Sequence, residues 1–333
     1  MPETVAIIGA GMAGLSCAQA LKAGGHAVRL FDKGRGPGGR MSTRRASTPL
    51  GDLRWDHGAQ YFTARSADFL AAVEGWQRAG LAAPWPGIFV TIGADGRVED
   101  DENARRFVGV PAMNSIIRGM AAEQDVEWGA RVVSATGEPG RYMLSFEDGR
   151  EVGPFSRIVV AVPAEQVGDL IGEVAPEISR IAAAARSAPS WTVMLAFETP
   201  LQAGFDAARI SAGPLGWAAR NASKPGRDDA ETWVLQASAD WSQTHIEAEP
   251  GEVADDLLAA FREIARFDPP VFKAAHRWRY ARVERPAPAE EEQVAAGQGI
   301  FACGDWARAA RIEAAWLSGR KAGERLMALA SGN

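Results

Sequence analysis

Cysteine and long apolar runs are both scarce in this chain of 333 residues. The two cysteines, Cys17 and Cys303, lie far apart in apolar surroundings, which favours buried thiols over a disulfide or a metal site. No segment approaches the roughly 18–20 apolar residues that a membrane helix needs. The N-terminal stretch MPETVAIIGAG lacks the basic region of a signal peptide. We therefore expect a cytoplasmic protein with no bound metal and no membrane span.

An excess of positive charge is also absent, because 36 Lys and Arg residues stand against 42 Asp and Glu residues, for a net charge of -6. This balance argues against a nucleic-acid partner held by bulk electrostatic attraction. It leaves room for a small anionic ligand bound by a few arginines. The alternating basic and aromatic stretch FKAAHRWRYAR (272–282) is therefore predicted to be a packed strand, with no nucleic acid as its partner.

The start of the chain has the pattern of a nucleotide-binding βαβ unit. An apolar strand, 5–8, runs into the glycine-rich turn Gly9-Ala10-Gly11-Met12-Ala13-Gly14, which opens a helix. A second strand, 27–31, then ends on Asp32. In this arrangement the first glycine allows a tight turn, the second lets the backbone approach a pyrophosphate, and the third lets helix and strand pack closely. Asp32 is predicted to bind the adenosine ribose.

The rest of the chain predicts an α/β fold in which a second, α+β domain is inserted into the nucleotide-binding domain. We place the nucleotide-binding domain at 1–70, 106–165 and 276–333, and the inserted substrate domain at 71–105 and 166–275. Periodicity predicts three strands between Val126 and Pro163, helical structure over 166–187, strands at 191–198 and 231–238, and helices at 251–267 and 312–330. The acidic, proline-containing stretch 284–293 is predicted to be a loop or linker.

Two further segments indicate FAD as the dinucleotide. A second glycine-rich turn ends in Gly39-Arg40-Met41, and Gly304-Asp305 follows an apolar strand near the end of the chain. Together with the first turn, they resemble the flavin amine oxidase superfamily, whose fold is shared with p-hydroxybenzoate hydroxylase. The resemblance implies that Arg40 contacts the FAD phosphates and that Asp305 contacts the ribityl–pyrophosphate region. The helix after Glu313 would direct its N-terminal N–H groups at the flavin. Glu313-Ala314-Ala315 departs from the Glu-Gly-Ala of many members.

The segment WDHGAQYFTAR (55–65) places Asp, His, Gln, Tyr and Arg within eleven residues. Within the superfamily, its Asp56-His57-Gly58-Ala59-Gln60-Tyr61 block is similar to that of the renalases, and WSQTHIE (241–247) and HRWRYA (276–281) resemble bacterial renalase-like proteins. The resemblance implies that this block positions the flavin more than it reacts. The predicted FAD contacts are Gly9, Gly11, Met12, Ala13, Gly14, Asp32, Lys33, Gly39, Arg40, Met41, His57, Gln60, Tyr61, Val133, Gly304, Asp305, Ile312 and Ala315.

The renalase resemblance implies oxidation of misreduced nicotinamides. The expected substrates are the 2- and 6-dihydro isomers of NAD(P)H, with O2 as the second substrate and NAD(P)+ and hydrogen peroxide as products. His245 and Tyr61 are the predicted catalytic residues. A dihydropyridine nitrogen already drives hydride loss, so the protein mainly needs to stack the ring against the flavin. The choice between NAD and NADP, the preferred isomer and the oligomeric state stay open.

Two alternatives remain open at the level of sequence. One is an oxidase of small amines, although many of these carry a lysine near the strand that matches 191–198, and no lysine occurs from 164 to 223. The other is a flavin-binding protein without catalytic activity. The Ser-Gly-Gly-Cys-Tyr segment that attaches flavin covalently in monoamine oxidases is absent, so we expect non-covalent FAD.

Overall fold

A computed structural model describes residues 4–101, 105–287, 293–295 and 299–331. The chain divides into two compact units. Unit 1 consists of Met1–Gly39, Ile117–Ser187 and Val283–Asn333, and unit 2 of Arg40–Ile116 and Ala188–Arg282. No helix in the described ranges is both long and apolar enough to cross a membrane.

The strands and helices are numbered in the order in which they occur along the chain. The strands are β1 Thr4–Ile8, β2 Ala27–Asp32, β3 Arg44–Thr48, β4 Gly51–Trp55, β5 Ala82–Pro84, β6 Phe89–Ile92, β7 Val98–Asp100, β8 Phe107–Gly109, β9 Val126–Trp128, β10 Val132–Glu138, β11 Arg141–Phe146, β12 Glu151–Phe155, β13 Arg157–Val160, β14 Arg186–Phe197, β15 Ala207–Ile210, β16 Leu215–Arg220, β17 Glu231–Ala237, β18 Phe272–Arg285, β19 Gln293–Ala295 and β20 Ile300–Ala302. The helices are α1 Met12–Ala23, α2 Ala67–Arg78, α3 Ser115–Ala121, α4 Val167–Ile171, α5 Pro176–Ala182, α6 Ala239–Thr244, α7 Pro250–Arg262 and α8 Ile312–Ser331.

Unit 1 is built on a six-stranded sheet with the order β19-β20-β13-β1-β2-β9. Strand β1 pairs in parallel with both β2 and β13, and β20 continues the parallel set beyond β13. Strand β1 lies in the middle of the sheet with Val5 to Ile8 buried, as expected for a parallel strand covered on both faces. The Rossmann-like topology predicted for this part of the chain is present.

Unit 2 contains a seven-stranded sheet with the order β18-β14-β17-β16-β15-β6-β7. Successive side chains of a strand point to opposite faces. We call one face the helix face: it carries Trp191, Val193 and Leu195 of β14, which pack with Leu257 and Phe261 of α7. The opposite face is named the hairpin face. It carries Met194, Ala196 and Val234, which pack with Leu53 and Trp55 from the β3–β4 hairpin.

The bounds of the two units differ from the predicted domain bounds, and packing explains the difference. Residues 40–70 belong to unit 2 because the β3–β4 hairpin buries Leu53 and Trp55 on the seven-stranded sheet. Residues 166–187 belong to unit 1, because α4 and α5 bury Val167, Leu170 and Ile178 in the core of unit 1. Both segments were assigned from their order in the sequence, which does not specify the core that each one joins.

Most of the predicted elements are present, with differences at turns. The stretch 126–138 forms two strands, β9 and β10, because Gly129 adopts a φ of +72° between them. The helical prediction for 166–187 corresponds to α4 and α5, but residues 186–187 already belong to β14. Of the predicted linker 284–293, residues 284–285 end strand β18, and residues 288–292 lie outside the described ranges.

Candidate functional site

The glycine-rich turn of unit 1 has the geometry that a dinucleotide requires. Gly9 has a φ of +104°, and a Cβ there would lie 2.5 Å from the Ala161 carbonyl oxygen. A Cβ on Gly14 would lie 1.9 Å from the Gly9 carbonyl oxygen, so helix α1 packs against the turn without a side chain. A Cβ on Gly11 would meet no atom within 4 Å. Packing therefore requires glycine at positions 9 and 14, whereas Gly11 leaves room for a ligand.

The first turn of α1 offers N–H groups to a phosphate. Gly11 is the N-cap of α1 and has no side-chain capping bond. Helix N-termini of this kind bind phosphates through backbone N–H groups and the helix dipole. Asp32, at the end of β2, accepts hydrogen bonds from the N–H groups of Ala10 and Gly34, both at 2.7 Å. Each carboxylate oxygen of Asp32 keeps a second lone pair for the predicted ribose contact.

The last helix of the chain packs directly on this region. A Cβ on Gly319 of α8 would lie 1.9 Å from the Ala13 carbonyl oxygen, and Ser16 donates a 2.8 Å hydrogen bond to the Trp316 carbonyl. The N–H of Gly304 donates to the Ser318 hydroxyl at 3.1 Å, which ties the predicted Gly304-Asp305 pair to the same helix. Unit 1 thus brings together cofactor segments that lie about three hundred residues apart in the sequence.

The other predicted cofactor contacts of unit 1 lie around the same loops. A Cβ on Gly39, whose φ is +53°, would lie 3.8 Å from the Cα of Gly11. Lys33 donates to the Gln166 side chain at 3.1 Å, and burial lowers its pKa. Val133 is 41% exposed beside a β-bulge of β10, which is unusual for an apolar strand residue and suits contact with a ligand. Ile312 begins α8, and Ala315 is buried in its first turn.

Unit 2 holds the 56–61 block by a buried ionic cluster. The Asp56 carboxylate lies 3.3 Å from the ammonium nitrogen of Lys224 and 2.5 Å from the guanidinium of Arg227, and all three side chains are buried. It also accepts hydrogen bonds from the Thr43 hydroxyl and the Met113 N–H, both at 2.9 Å. Burial alone would raise the pKa of Asp56, but Lys224 and Arg227 hold it well below its ordinary value.

Lys224 and Arg227 were not predicted from the sequence. Their only local signal is the Lys-Pro-Gly-Arg turn, which places two cations just after a buried strand. Burial lowers the pKa of Lys224 to about 8, and its ion pair with Asp56 opposes this shift.

Both the nitrogen and the oxygen of the Gln60 side-chain amide make hydrogen bonds within unit 2. Its Nε2 donates to the carbonyls of Asp56 and Gly58, and its Oε1 accepts from Lys224 at 3.1 Å. The Gly58 carbonyl also accepts a 2.8 Å hydrogen bond from Gln236 on β17. A Cβ on Gly58 would lie 2.2 Å from the Arg40 carbonyl oxygen, so the block packs against the backbone of the Gly-Arg turn.

His57 lies in an aromatic cluster on the hairpin face. Its ring centre is 4.9 Å from that of His276 and 5.1 Å from that of Trp278, and the Trp278 Nε1 donates to the His57 carbonyl at 2.9 Å. Burial lowers the pKa of His57 to about 4, assisted by His276 and Arg44. The imidazole is therefore neutral at pH 7. Its buried Nδ1 has no hydrogen-bond partner within the described ranges.

Tyr61 and Trp217 form the second half of this hairpin-face cluster. Trp217 is paired with Gln236 in the sheet register, and Gln236 is in turn paired with Thr192, so these three side chains share one face. The rings of Tyr61 and Trp217 are 5.4 Å apart and tilted by 40°. In the part of the chain that the structure describes, the buried Trp217 Nε1 and the Thr192 hydroxyl have no hydrogen-bond partner.

Cationic side chains flank these rings. The Arg209 guanidinium lies 3.4 Å from the Tyr61 hydroxyl and 5.8 Å from the Trp217 ring centre. Arg106 lies 5.3 Å from the Tyr61 ring centre and is paired with Asp101. The cluster therefore combines aromatic surface and neutral polar groups with a positive rim, whose charge comes from Arg209 because the buried Arg106 is neutralised by Asp101.

The two residues predicted to be catalytic lie on opposite faces of the sheet. The His245 carbonyl accepts a 2.8 Å hydrogen bond from the Trp191 Nε1, and Trp191 points to the helix face. The His245 ring stacks on Trp241 with centres 4.0 Å apart, and its Nδ1 bonds the Trp241 carbonyl at 2.8 Å. The described contacts of His245 and Tyr61 are therefore separate, because α6 leaves β17 toward the helix face, and the catalytic roles of both residues stay predictions.

Among the described residues, no group of three or more His, Cys, Asp and Glu side chains could hold a metal ion. Cys17 and Cys303 are buried, and neither takes part in a disulfide. Burial raises the pKa of Cys17, so neither a reactive thiolate nor a flavin attachment is indicated there.

Comparison with protein families identifies the chain. A NAD(P)-binding Rossmann-like domain matches residues 7–73, and the flavin-containing amine oxidoreductases match residues 78–327. The chain belongs to the flavin-containing amine oxidoreductase family. Its fold is thus a Rossmann-like FAD-binding domain with an amine oxidase domain, as predicted, and its cofactor is non-covalent FAD.

Solved structures show the same fold over nearly the whole chain. Cyclohexylamine oxidase from Brevibacterium oxydans IH-35A has a TM-score of 0.76 at 13% identity, covering 99% of this chain and 100% of the other. A putrescine oxidase variant from a redesign of cofactor binding has a TM-score of 0.72 at 15% identity, with 99% of each chain covered. At these identities the likeness establishes the fold and not the substrate.

Proposed function

We propose that this family member oxidises the 2- and 6-dihydro isomers of NAD(P)H to NAD(P)+, with O2 reduced to hydrogen peroxide. The observation that carries the proposal is the character of the hairpin-face cluster. Its rings are those of His57, Tyr61, Trp217 and Trp278, and the cations of Arg209 and Arg106 lie next to Tyr61. Flat aromatic surface suits a dihydropyridine ring, and a positive rim suits the phosphates of a nucleotide.

The residues of the cluster would bind and orient the substrate. When bound, FAD would supply the acceptor for the hydride and the route by which the electrons reach O2. The ring nitrogen of a dihydronicotinamide supplies the electron push, so no side chain must remove a proton. This agrees with a neutral His57 and with a Lys224 that is already paired with Asp56. The loops of unit 1 around Gly9, Gly11 and Gly14 are proposed to hold the dinucleotide part of FAD.

Oxidation of a small amine is the second candidate, and membership of the family favours it. The Tyr61–Trp217 pair offers aromatic faces that an amine could use. Two features of the cluster oppose this candidate. An ammonium substrate would meet the charge of Arg209, and the described neighbours of these rings include no lysine apart from Lys224, which is paired with Asp56.

Anaerobic mixing of the holoenzyme with each candidate substrate separates the two functions. We expect the flavin absorbance to bleach rapidly with 2- or 6-dihydro-NAD(P), slowly with ordinary NADH, and not at all with putrescine or cyclohexylamine. Faster reduction by an amine than by every dihydronicotinamide isomer would establish the second candidate instead. If neither a dihydronicotinamide nor an amine reduces the flavin, the protein binds flavin without either oxidase activity.

A further inference from the structure

Arg209 has an unusual position on the hairpin face. It extends from β15 next to Trp217, with which it is paired in the sheet register, and its guanidinium donates to the Tyr61 hydroxyl. It forms no ion pair with any carboxylate of the described residues, whereas Arg220 and Arg277 of the same unit are each paired with a glutamate. Its charge is therefore available for a ligand.

Trp217 supplies a second donor at the same place. Its indole is 7% exposed, and its Nε1 is buried without an acceptor among the described residues. A buried N–H without a partner costs about 1–3 kcal/mol. Such a cost is expected where a ligand provides the missing acceptor, and the nearest charged group, Arg209, is itself a donor.

A buried indole N–H without an acceptor, next to a cation without an ion pair among the described residues, selects an anion with several oxygens. A guanidinium binds phosphate by paired hydrogen bonds, and an indole N–H adds one further bond. A free nicotinamide or an alkyl amine offers no such anion. A nucleotide carries the phosphate next to the sugar that bears its nicotinamide ring, so its ring and its anion could occupy one continuous cluster.

We propose that Arg209 and Trp217 form a subsite for a phosphate group of the substrate, so that the enzyme selects nucleotides over the corresponding nucleoside. This inference rests on the proposed function, which identifies the substrate ring as a nicotinamide. The binding of the phosphate can nevertheless be measured without turnover. The probes are nicotinamide mononucleotide and nicotinamide riboside, which differ by one phosphate.

The test is calorimetric titration of the FAD-loaded protein with both probes. Wild type should bind the mononucleotide at least about tenfold more tightly than the riboside, which corresponds to about 1.4 kcal/mol. Arg209→Gln should bring this ratio close to one, and Trp217→Phe should reduce it severalfold while keeping a ring beside Tyr61. The ratio should also fall as salt is raised, because the subsite is partly exposed.

Arg262→Gln is the matched control. Arg262 is also an exposed arginine over an aromatic ring, that of Phe267 at 4.6 Å, but it belongs to α7 on the helix face. It should leave the ratio unchanged. Thermal unfolding should show that Arg209→Gln and Arg262→Gln are both folded.

The outcomes separate this inference from the proposed function. A preference for the mononucleotide that Arg209→Gln removes supports the subsite, even if no dihydronicotinamide reduces the flavin. No preference in wild type, or a preference that survives Arg209→Gln, overturns it, whatever the activity. If turnover occurs, Arg209→Gln should raise KM for dinucleotides about tenfold and leave kcat unchanged, the pattern of uniform binding.

Discussion

The ammonium nitrogen of Lys224 lies 3.3 Å from a carboxylate oxygen of Asp56, and neither side chain is exposed. Arg227 adds a second cation to the same carboxylate. One buried anion therefore compensates two buried cations. Gln60 links this ionic cluster to the backbone of the 56–61 block, because it accepts a hydrogen bond from Lys224 and donates one to the Asp56 carbonyl. The contacts of Asp56 are those of an anchor, which agrees with a block predicted to position more than to react.

Replacing Asp56 should destabilise the protein strongly. Asp56→Ala leaves two buried cations without a carboxylate counter-ion, for which we expect a loss of about 3–5 kcal/mol in the free energy of unfolding. The control is Asp228→Ala, which breaks the partly exposed pair with Arg54 and should cost about 1 kcal/mol or less. Urea unfolding measures both variants, and equal losses would contradict the role of Asp56 as an anchor.

Alanine substitutions at Gly11 and Gly14 should affect FAD retention and the stability of the apoprotein differently. A Cβ at Gly11 meets no protein atom within 4 Å, so Gly11→Ala should keep the stability of the apoprotein. It should weaken FAD retention at least about tenfold, because the added methyl group occupies the space where backbone approaches the pyrophosphate. Gly14→Ala should lower both quantities, since its Cβ would lie 1.9 Å from the Gly9 carbonyl oxygen.

Gel filtration followed by flavin absorbance measures retention, and thermal unfolding of the apoprotein measures stability. Undiminished FAD in Gly11→Ala would show that the ligand does not approach this turn. Asp305→Ala belongs to the same test, and we expect it to lose FAD more readily than it loses its fold.

His57 should make the stability of the protein depend on pH in the acid range. Burial lowers its pKa from 6.5 to about 4, so the unfolded chain binds more protons between these two values. The stability contributed by the neutral imidazole is thus complete above pH 6.5 and is lost as the pH falls toward 4. The full effect of this shift is about 3 kcal/mol.

His57→Gln removes this titration and keeps a polar side chain. The difference in unfolding free energy between wild type and variant should change with pH between 6.5 and 4 and be constant from 7 to 8. His276 has a pKa lowered by burial and by Arg44, and it remains in both proteins, so the comparison isolates His57. A difference that is constant throughout would mean that His57 is not buried as a neutral ring.

The parts of the site that the sequence predicted are those with a local signal. Gly9 and Gly14 stand out because a turn and a close packing contact require them, and Asp32 follows from its place at the end of β2. Gly304-Asp305 was singled out through the family resemblance, and its place after the short apolar strand β20 is a local feature of the same kind. These features depend on neighbours within one βα turn, so the pattern of residues was sufficient.

The parts that the sequence did not predict depend on packing over long distances. Asp56 and Lys224 are 168 residues apart, and only the placement of the β3–β4 hairpin on the seven-stranded sheet brings them together. The placement of residues 40–70 in unit 2 depends on the same packing of the hairpin on the sheet. His245 lies on the helix face because of the direction in which α6 leaves β17. The residues of α6 do not specify that direction.

The final prediction concerns His245 and Tyr61, for which the structure gives different roles. His245 caps α6, bonds the Trp241 carbonyl and receives the Trp191 indole N–H on the helix face. We expect His245→Ala to lower stability by about 1–2 kcal/mol through lost packing and hydrogen bonding, and to leave the rate of flavin reduction within about twofold of wild type. Tyr61→Phe should give the opposite pattern, unchanged stability and a modestly slower reduction. Its hydroxyl bonds Arg209 alone among the described residues, while its ring packs on Trp217. Rapid-mixing absorbance with a reducing substrate, together with urea unfolding, measures both quantities for each variant. A large rate loss in His245→Ala with intact stability would restore His245 to the site, and would mean that the substrate reaches the helix face of the sheet.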